Sequence, residues 1–386
     1  MQQRGNLFLT LCVFSATGGI EKVCKVAGKA LHELHAENQG DPIKILSLYD
    51  ESLHHNEKYF PADIFKGFGK NKISFLSTAV KEGLNSKVII LSHVNLLIIG
   101  ITIKILAPKT KLVLLAHGIE VWKKFPKWKR IMLANCDLIL PVSEFTKIKM
   151  QHLYGLAEKK FTILNNCLDP FLPLPLQNVK EEILLKRYGF AATDKVLLTL
   201  TRLSCRDRYK GYEQVILSVH KLKQTCPSIK YLLAGKYEEH EKLRLQKIIK
   251  DLDLQSDVIL AGYLPDEELA AHYNLADMYI MPSQKEGFGI VFIEAMFYGK
   301  PVIAGNVDGS TDALKNGLFG LLVDPANQQQ IDDAIVEVFT NKEKYLPKNE
   351  QVMEYFGYDV YKNNLRNIIS ATSKNKTGQK AMSYEL

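Results

Sequence analysis

Along the chain, short runs of consecutive apolar residues alternate with longer stretches in which apolar residues recur at helical spacing. The runs at 7–14, 43–48, 87–91, 112–116, 138–142 and 161–164 predict strands. The segments 21–35, 75–82 and 144–154 between them predict helices. Runs this short, without polar alternation, suit strands buried on both faces, as in a parallel sheet covered by helices. The run Asp169-Pro170-Phe171-Leu172-Pro173-Leu174-Pro175 breaks the pattern. Its prolines support neither helix nor central strand, so it reads as a linker. The alternation then resumes, with strands expected at 196–201, 230–234, 258–261, 278–281 and 302–304. Helices are expected at 212–223, 240–252, 266–274, 290–298 and 328–339, and a last one at 350–369 before a polar tail. The fold class this predicts is α/β, as two doubly wound domains in tandem.

Composition leaves that picture standing. The 386 residues are 46% apolar and 24% charged, with 24 Gly and 14 Pro, ordinary for a globular protein. No run approaches the ~20 apolar residues of a membrane span. Arg4, the apolar run and Ala16 have some features of a signal peptide. The run leads straight into Thr17-Gly18-Gly19, however, which fits a buried first strand feeding a turn. Six scattered cysteines without a CxxC predict reduced thiols in a cytoplasmic protein rather than disulfides or a zinc site.

Charge sharpens the picture. The net charge of +8 lies in the first half: residues 1–180 hold 24 Lys/Arg against 14 Asp/Glu. The densest piece, WKKFPKWKR, carries Trp122, Lys123, Lys124, Lys127 and Trp128. A second, from Tyr59 to Lys72, interleaves Phe60, Phe65 and Phe68 with lysines. Basic residues among aromatics suit nucleic acid or an anionic membrane face. The asymmetry between halves favours the membrane, so no nucleic-acid partner is expected.

Ligands of open α/β sheets bind at the carboxyl ends of strands, which directs attention to the residues there. Gly18 and Gly19 follow the first strand and open a helix, a place suited to an anion; the alternative is a plain tight turn. This is not GxGxxG, so a nicotinamide cofactor is not expected. His117 follows the fourth predicted strand, with a structural histidine as the bland alternative, and His93 is a weaker candidate. Arg202 and Lys210 flank a loop and could neutralise a diphosphate. Glu286, Gly287, Phe288 and Gly289 form a loop before a helix that carries Glu294. Asp251-Leu252-Asp253 spells DxD but ends a predicted helix, which fits a cap.

The stretch EGFGIVFIE, Glu286 to Glu294, resembles the Glu-x7-Glu motif of family 4 retaining glycosyltransferases. GGIEK from Gly18, HGIEVW from His117, VSEFTK from Val142, ILNNCLDP from Ile163, TRLS from Thr201, GYLPDEEL from Gly262 and GKPVIA from Gly299 stand in that family's order. The resemblance implies a GT-B fold: two Rossmann-like domains facing across a cleft, with a C-terminal helix crossing back. The expected bounds are an acceptor domain at 1–175, a donor domain at 176–349, a crossover helix at 350–371 and a disordered tail at 372–386. By the same resemblance Arg202 and Lys210 neutralise the diphosphate of a nucleotide sugar, and Gly18-Gly19 approach it. Glu286 meets the sugar hydroxyls with the Gly287–Gly289 loop, Glu294 the ribose, Tyr263 and Leu264 the base, and His117 the reacting centre.

The family implies no metal cofactor, the nucleotide sugar being a substrate. The expected donor is a GDP- or UDP-hexose. The expected acceptor is membrane-anchored, lipid-linked or a polysaccharide precursor, met by peripheral docking at the inner face of the cytoplasmic membrane. Lys236-Tyr237-Glu238-Glu239 and Asp312 depart from the family's usual residues and bear on donor identity. An epimerase or hydrolase of the same fold, a non-catalytic nucleotide-sugar binder, and a nucleic-acid-binding protein using the basic stripe are the alternatives.

Overall fold

The computed structural model describes residues 5–175 and 180–374. Among them, two parallel six-stranded sheets form the frames of two compact units. The first unit comprises Met1–Val142, Lys147–Leu164 and Asp359–Leu386; the second comprises Ser143–Thr146 and Asn165–Tyr358.

In the first unit β1 (Asn6–Thr10), β2 (Ile43–Ser47), β3 (Phe65–Gly67), β4 (Val88–Leu91), β5 (Lys111–Ala116) and β6 (Leu138–Pro141) pair in the order β3-β2-β1-β4-β5-β6. The helices are α1 (Gly19–Ala36), α2 (Lys72–Leu84), α3 (Leu97–Leu106), α4 (Lys127–Ala134) and α5 (Glu144–Tyr154). All five residues of β1 are buried, polar Asn6 and Thr10 as well as apolar Leu7, Phe8 and Leu9, as a strand in a sheet covered on both faces requires. The run at 161–164 is not a named strand. Phe161 makes an isolated bridge to Ile139, and the chain follows β6 only through the Thr162 and Leu164 amides. β3 is a three-residue edge strand, too short to show a period. The apolar stretch of α3 likewise carries no helical period in its sequence, because its outward face is apolar too.

In the second unit α6 (Glu182–Tyr188) precedes β7 (Lys195–Leu200). Then come α7 (Tyr212–Leu222), β8 (Ile229–Ala234), α8 (Glu239–Asp251), β9 (Val258–Gly262) and α9 (Leu269–Leu275). The chain returns through β10 (Met278–Met281), α10 (Ile290–Phe297), β11 (Val302–Gly305), α11 (Ser310–Ala313), β12 (Leu321–Val323) and α12 (Gln328–Thr340). The order is β12-β11-β10-β7-β8-β9. Asp251-Leu252-Asp253 closes α8, with Leu252 as C-cap and Asp253 at φ +53°.

Two bounds differ from expectation. The proline-rich run groups with the second unit, because the division falls at Leu164–Asn165, ahead of it. The single final helix is two, α13 (Asn349–Phe356) and α14 (Tyr358–Lys374), parted at Gly357. From Asp359 on, α14 groups with the first unit. It buries Tyr361, Leu365 and Ile369 at four-residue intervals, one helical face. The Lys362 ammonium donates to Glu37 at 2.8 Å, and Arg366 donates to Gln39 at 2.7 Å, both beside α1. The tail expected from 372 begins inside this helix, and 375–386 lie outside the described residues.

Candidate active site

The second sheet has its switch point between β7 and β10, where the chain has run outward through β8 and β9 and starts back. The loops after these two strands meet there. Lys210 ends a short 3-10 turn after β7, and its ammonium pairs with the Glu286 carboxylate after β10. Gly211 makes the approach possible. Its φ is +80°, and a Cβ there would fall 2.3 Å from the Pro282 carbonyl oxygen. Only glycine allows both. Burial pulls the Lys210 ammonium down to about 8, against the pull of the Asp207 and Asp308 charges.

Asp308, after β11, fixes the other side of Glu286. One carboxylate oxygen accepts from the Glu286 amide at 2.6 Å, the other from the Ser310 amide at 2.9 Å. The Gly309 amide donates back to the Glu286 carbonyl at 2.8 Å. A Cβ on Gly309 would stand 2.1 Å from the Gly287 carbonyl oxygen, so this contact also demands glycine. Asp308 is fully buried, and burial pushes its carboxyl up to about 6 against hydrogen bonds from Ser310 and Ser283.

Gly287, Phe288 and Gly289 lead into α10 with Gly289 as its N-cap. Phe288 is buried edge-on to Phe356, their centroids 5.8 Å apart. The first amides of a helix have no partner within it, and the dipole favours an anion there. Glu294, in the second turn, is placed unlike Glu286. It is wholly buried and accepts from the Tyr273 hydroxyl at 3.4 Å.

Arg202, just past β7, is exposed and grips buried Asp207 with two nitrogens, at 2.6 and 3.2 Å. Asp207 also accepts from Ser204 and Tyr209. Burial works to raise the Asp207 carboxyl, but these hydrogen bonds outweigh it and hold it below the ordinary range. At the end of β9, Tyr263 is half exposed with the Lys236 ammonium 4.9 Å from its ring centre, and Leu264 is buried. The second unit therefore brings Lys210, Glu286 and the glycine loop together, sets Arg202 beside them on the same strand's loop, and keeps Tyr263 two strands away.

In the first unit the switch point lies between β1 and β4. Gly18 and Gly19 are exposed at the start of α1. A Cβ on Gly19 would meet nothing within 4 Å, and one on Gly18 only the end of the Glu21 side chain. The loop before them is held by buried Asp50, which accepts from the Val13, Phe14 and Ser15 amides at 2.6, 3.1 and 2.7 Å. His117, after β5, is half-buried. Its Nε2 donates to the Ser92 carbonyl at 2.8 Å, with the tautomer assigned from that acceptor. His93 caps the turn after β4 by accepting from the Asn95 amide, and burial lowers it to about 4.

The two aromatic-basic pieces part company. Phe60, Phe65 and Phe68 are core, so the second piece offers no aromatic surface. In the first, Trp122 packs against the core with the Lys149 ammonium 4.6 Å from its ring centre. Lys123, Lys124, Lys127 and Trp128 are exposed. No motif or spacing singles out Asp308, Asp207 or Asp50. Each is an ordinary acid among 42 until the fold shows which amides it faces.

The architecture is GT-B: two Rossmann-like α/β units with the charged loops at their strand ends. Residues 180–357 match the family described as Glycosyl transferases group 1. A curated relative is the GDP-mannose-dependent alpha-(1-6)-phosphatidylinositol monomannoside mannosyltransferase of Mycobacterium tuberculosis. It is 28% identical over 251 residues, 62% of this chain and 63% of that protein. The chain thus matches somewhat under two thirds of that relative's length. N-acetyl-alpha-D-glucosaminyl L-malate synthase of Bacillus anthracis is 22% identical over 365 residues, 90% of this chain and 92% of that one. Among solved structures, Anabaena HepE in complex with UDP superposes with a TM-score of 0.79 at 18% identity, covering 95% of this chain and 100% of that one. At that identity the likeness speaks for the fold.

Proposed function

We propose that the chain is a retaining glycosyltransferase that moves a hexose from a nucleoside diphosphate sugar to an acceptor anchored in a membrane. The observation that carries this reading is the Lys210–Glu286 pair at the switch point, beside the amino end of α10. A cation and a carboxylate paired across these two loops can part when a donor arrives. The diphosphate takes Lys210 from Glu286, and the freed carboxylate turns to the sugar hydroxyls. Arg202 is the second cation, and the Phe288 and Gly289 amides complete the anion cradle. Glu294 is assigned to the ribose, Tyr263 and Leu264 to the base, and Gly18, Gly19 and His117 to the first unit's share of the reaction.

In the transfer the bond from the anomeric carbon to the β-phosphate oxygen breaks. A bond from that carbon to the acceptor oxygen forms on the same face, and the acceptor proton passes to the departing phosphate. The demand is for stabilised charge on that phosphate, which cations and amides meet. Transfer therefore proceeds in EDTA.

A guanosine or uridine donor is supported by the GDP-mannose dependence of the mycobacterial relative and the UDP held by HepE. A lipid-linked acceptor is supported by that relative's phosphatidylinositol monomannoside and by the basic first half of this chain. The test is proton and phosphorus NMR of the chain with GDP- and UDP-hexoses, with and without a glycolipid acceptor. Release of GDP or UDP with a product of the donor's own anomeric configuration is expected. An inverted product contradicts retention. Intact donors throughout contradict the enzyme reading.

A further inference from the structure

The outward face of α2, α3 and α4 gathers exposed apolar side chains. The three helices pack side by side. Their inward residues, among them Phe75, Leu97, Ile103 and Leu133, share one core cluster. A helix covering a sheet normally turns polar residues outward. Here the outward stripes are apolar as well: Ile73 and Leu76 on α2, Ile98 and Ile105 on α3, Trp128 and Ile131 on α4. Ile73 is 83% exposed, Ile105 72% and Trp128 56%. Scattered exposed apolar residues are ordinary; this many on adjoining helices mark an interaction surface.

The charge around these side chains identifies the partner. Between residues 72 and 134 the chain has eleven Lys or Arg and two acids. Both acids are engaged locally: Glu82 takes the Lys44 ammonium at 2.8 Å, and Glu120 takes the His117 amide at 2.6 Å. Lys72, Lys81, Lys124, Lys127 and Arg130 are exposed. A second copy of the chain is a poor occupant, because a two-fold contact sets a patch against itself and would bring these cations together. Isoleucines, a tryptophan and cations on one face suit the headgroup level of a bilayer that carries negative charge.

We infer that the α2–α4 face docks on an anionic lipid bilayer, and that the isoleucines of α2 and α3 enter it as much as the tryptophan of α4. This rests on the reading of a membrane-anchored acceptor and names the surface that would reach it. The docking is peripheral; among the described residues no helix is long and apolar enough to cross a membrane.

The test is co-sedimentation of the full chain with vesicles of phosphatidylcholine alone and of phosphatidylcholine with phosphatidylglycerol. Two double variants are compared, Ile98→Ser with Ile105→Ser, and Lys81→Glu with Arg130→Glu. Melting temperature, its shift with UDP or GDP, and light scattering are read on the same samples. Binding to the anionic vesicles alone is expected, weakened about tenfold or more in each variant, with the nucleotide shift and folding unchanged. Equal binding to both vesicle types, or unaltered binding in both variants, overturns the inference. So does a dimer that the variants dissolve, which would assign the face to a second copy. Loss of the nucleotide shift with vesicle binding intact would instead defeat the proposed function and leave the docking face standing.

Discussion

The two units hold their glycines and cations on different terms. In the second, Gly211 and Gly309 stand where a methyl group would strike backbone, and they seat Lys210 and Glu286 against each other. In the first, a Cβ on Gly19 would meet open space and one on Gly18 only the end of the Glu21 side chain, and Lys124, Lys127 and Arg130 around α4 are exposed. Glycine that the fold demands shapes a prebuilt site. Glycine that the fold does not demand leaves room whose use must come from outside the fold. The same holds for charge: Lys210 and Arg202 sit in the grip of carboxylates, whereas Lys124, Lys127 and Arg130 lie on a face suited to a partner.

The largest effect that would sharpen this contrast is at the pair itself. Lys210→Ala should lower kcat/KM for transfer on the order of 10²–10³-fold, the usual cost of deleting one electrostatic donor to a developing anion. Steady-state kinetics with the active donor checks it, and a loss under tenfold would make the pair structural.

Next come the glycines. Gly211→Ala combines a positive φ with a clash against a carbonyl and should cost about 3 kcal/mol in urea unfolding. Gly19→Ala should cost less than ~0.5 kcal/mol yet raise KM for the donor. Equal destabilisation at both positions would erase the distinction between the units.

Asp308 gives an effect of similar or smaller size, with a sign. Its carboxyl is raised to about 6 from 3.8, so its contribution to stability is full below about pH 4 and is lost as pH rises through 6. At pH 7.5 that loss amounts to about 3 kcal/mol. Lys210, Glu286, Ser283 and Ser310 are the groups around it. Asp308→Asn should remove this dependence, so the stability difference between wild type and variant should change steadily between pH 4 and 7 in denaturant melts. A flat difference would mean that Asp308 stays ionised. The smallest effect is at the α14 anchor. Lys362→Ala removes a partly exposed pair with Glu33 and Glu37 and should cost under ~1 kcal/mol.

Most of the frame was legible in the chain. Strands such as 278–281 and helices such as 144–154 carry an unbroken apolar run or a clear period, and the structure places them at those residues. β3 and β12 escaped because three-residue edge strands have no pattern to show. α3 escaped because a helix apolar on both faces has no polar side to reveal its period. The charged loops were legible as segments, since Lys210-Gly211 and Glu286–Gly289 follow strand ends. The pairing of Lys210 with Glu286 was not, because their separation of 76 residues is closed only by the sheet order. Asp308 and Asp50 were invisible for the same reason: a carboxylate that serves backbone amides leaves no spacing signature.

The most direct measurement is calorimetric titration of UDP and GDP into the wild-type chain and into Lys210→Ala and Glu286→Gln. The proposed function predicts that one nucleotide binds the wild type, that Lys210→Ala weakens it about tenfold or more through loss of a buried cation, and that Glu286→Gln leaves it as tight or tighter, since that change releases Lys210 to the diphosphate. Unchanged affinity in Lys210→Ala, with the variant folded, would contradict the placement of the diphosphate at the switch point and with it the central claim.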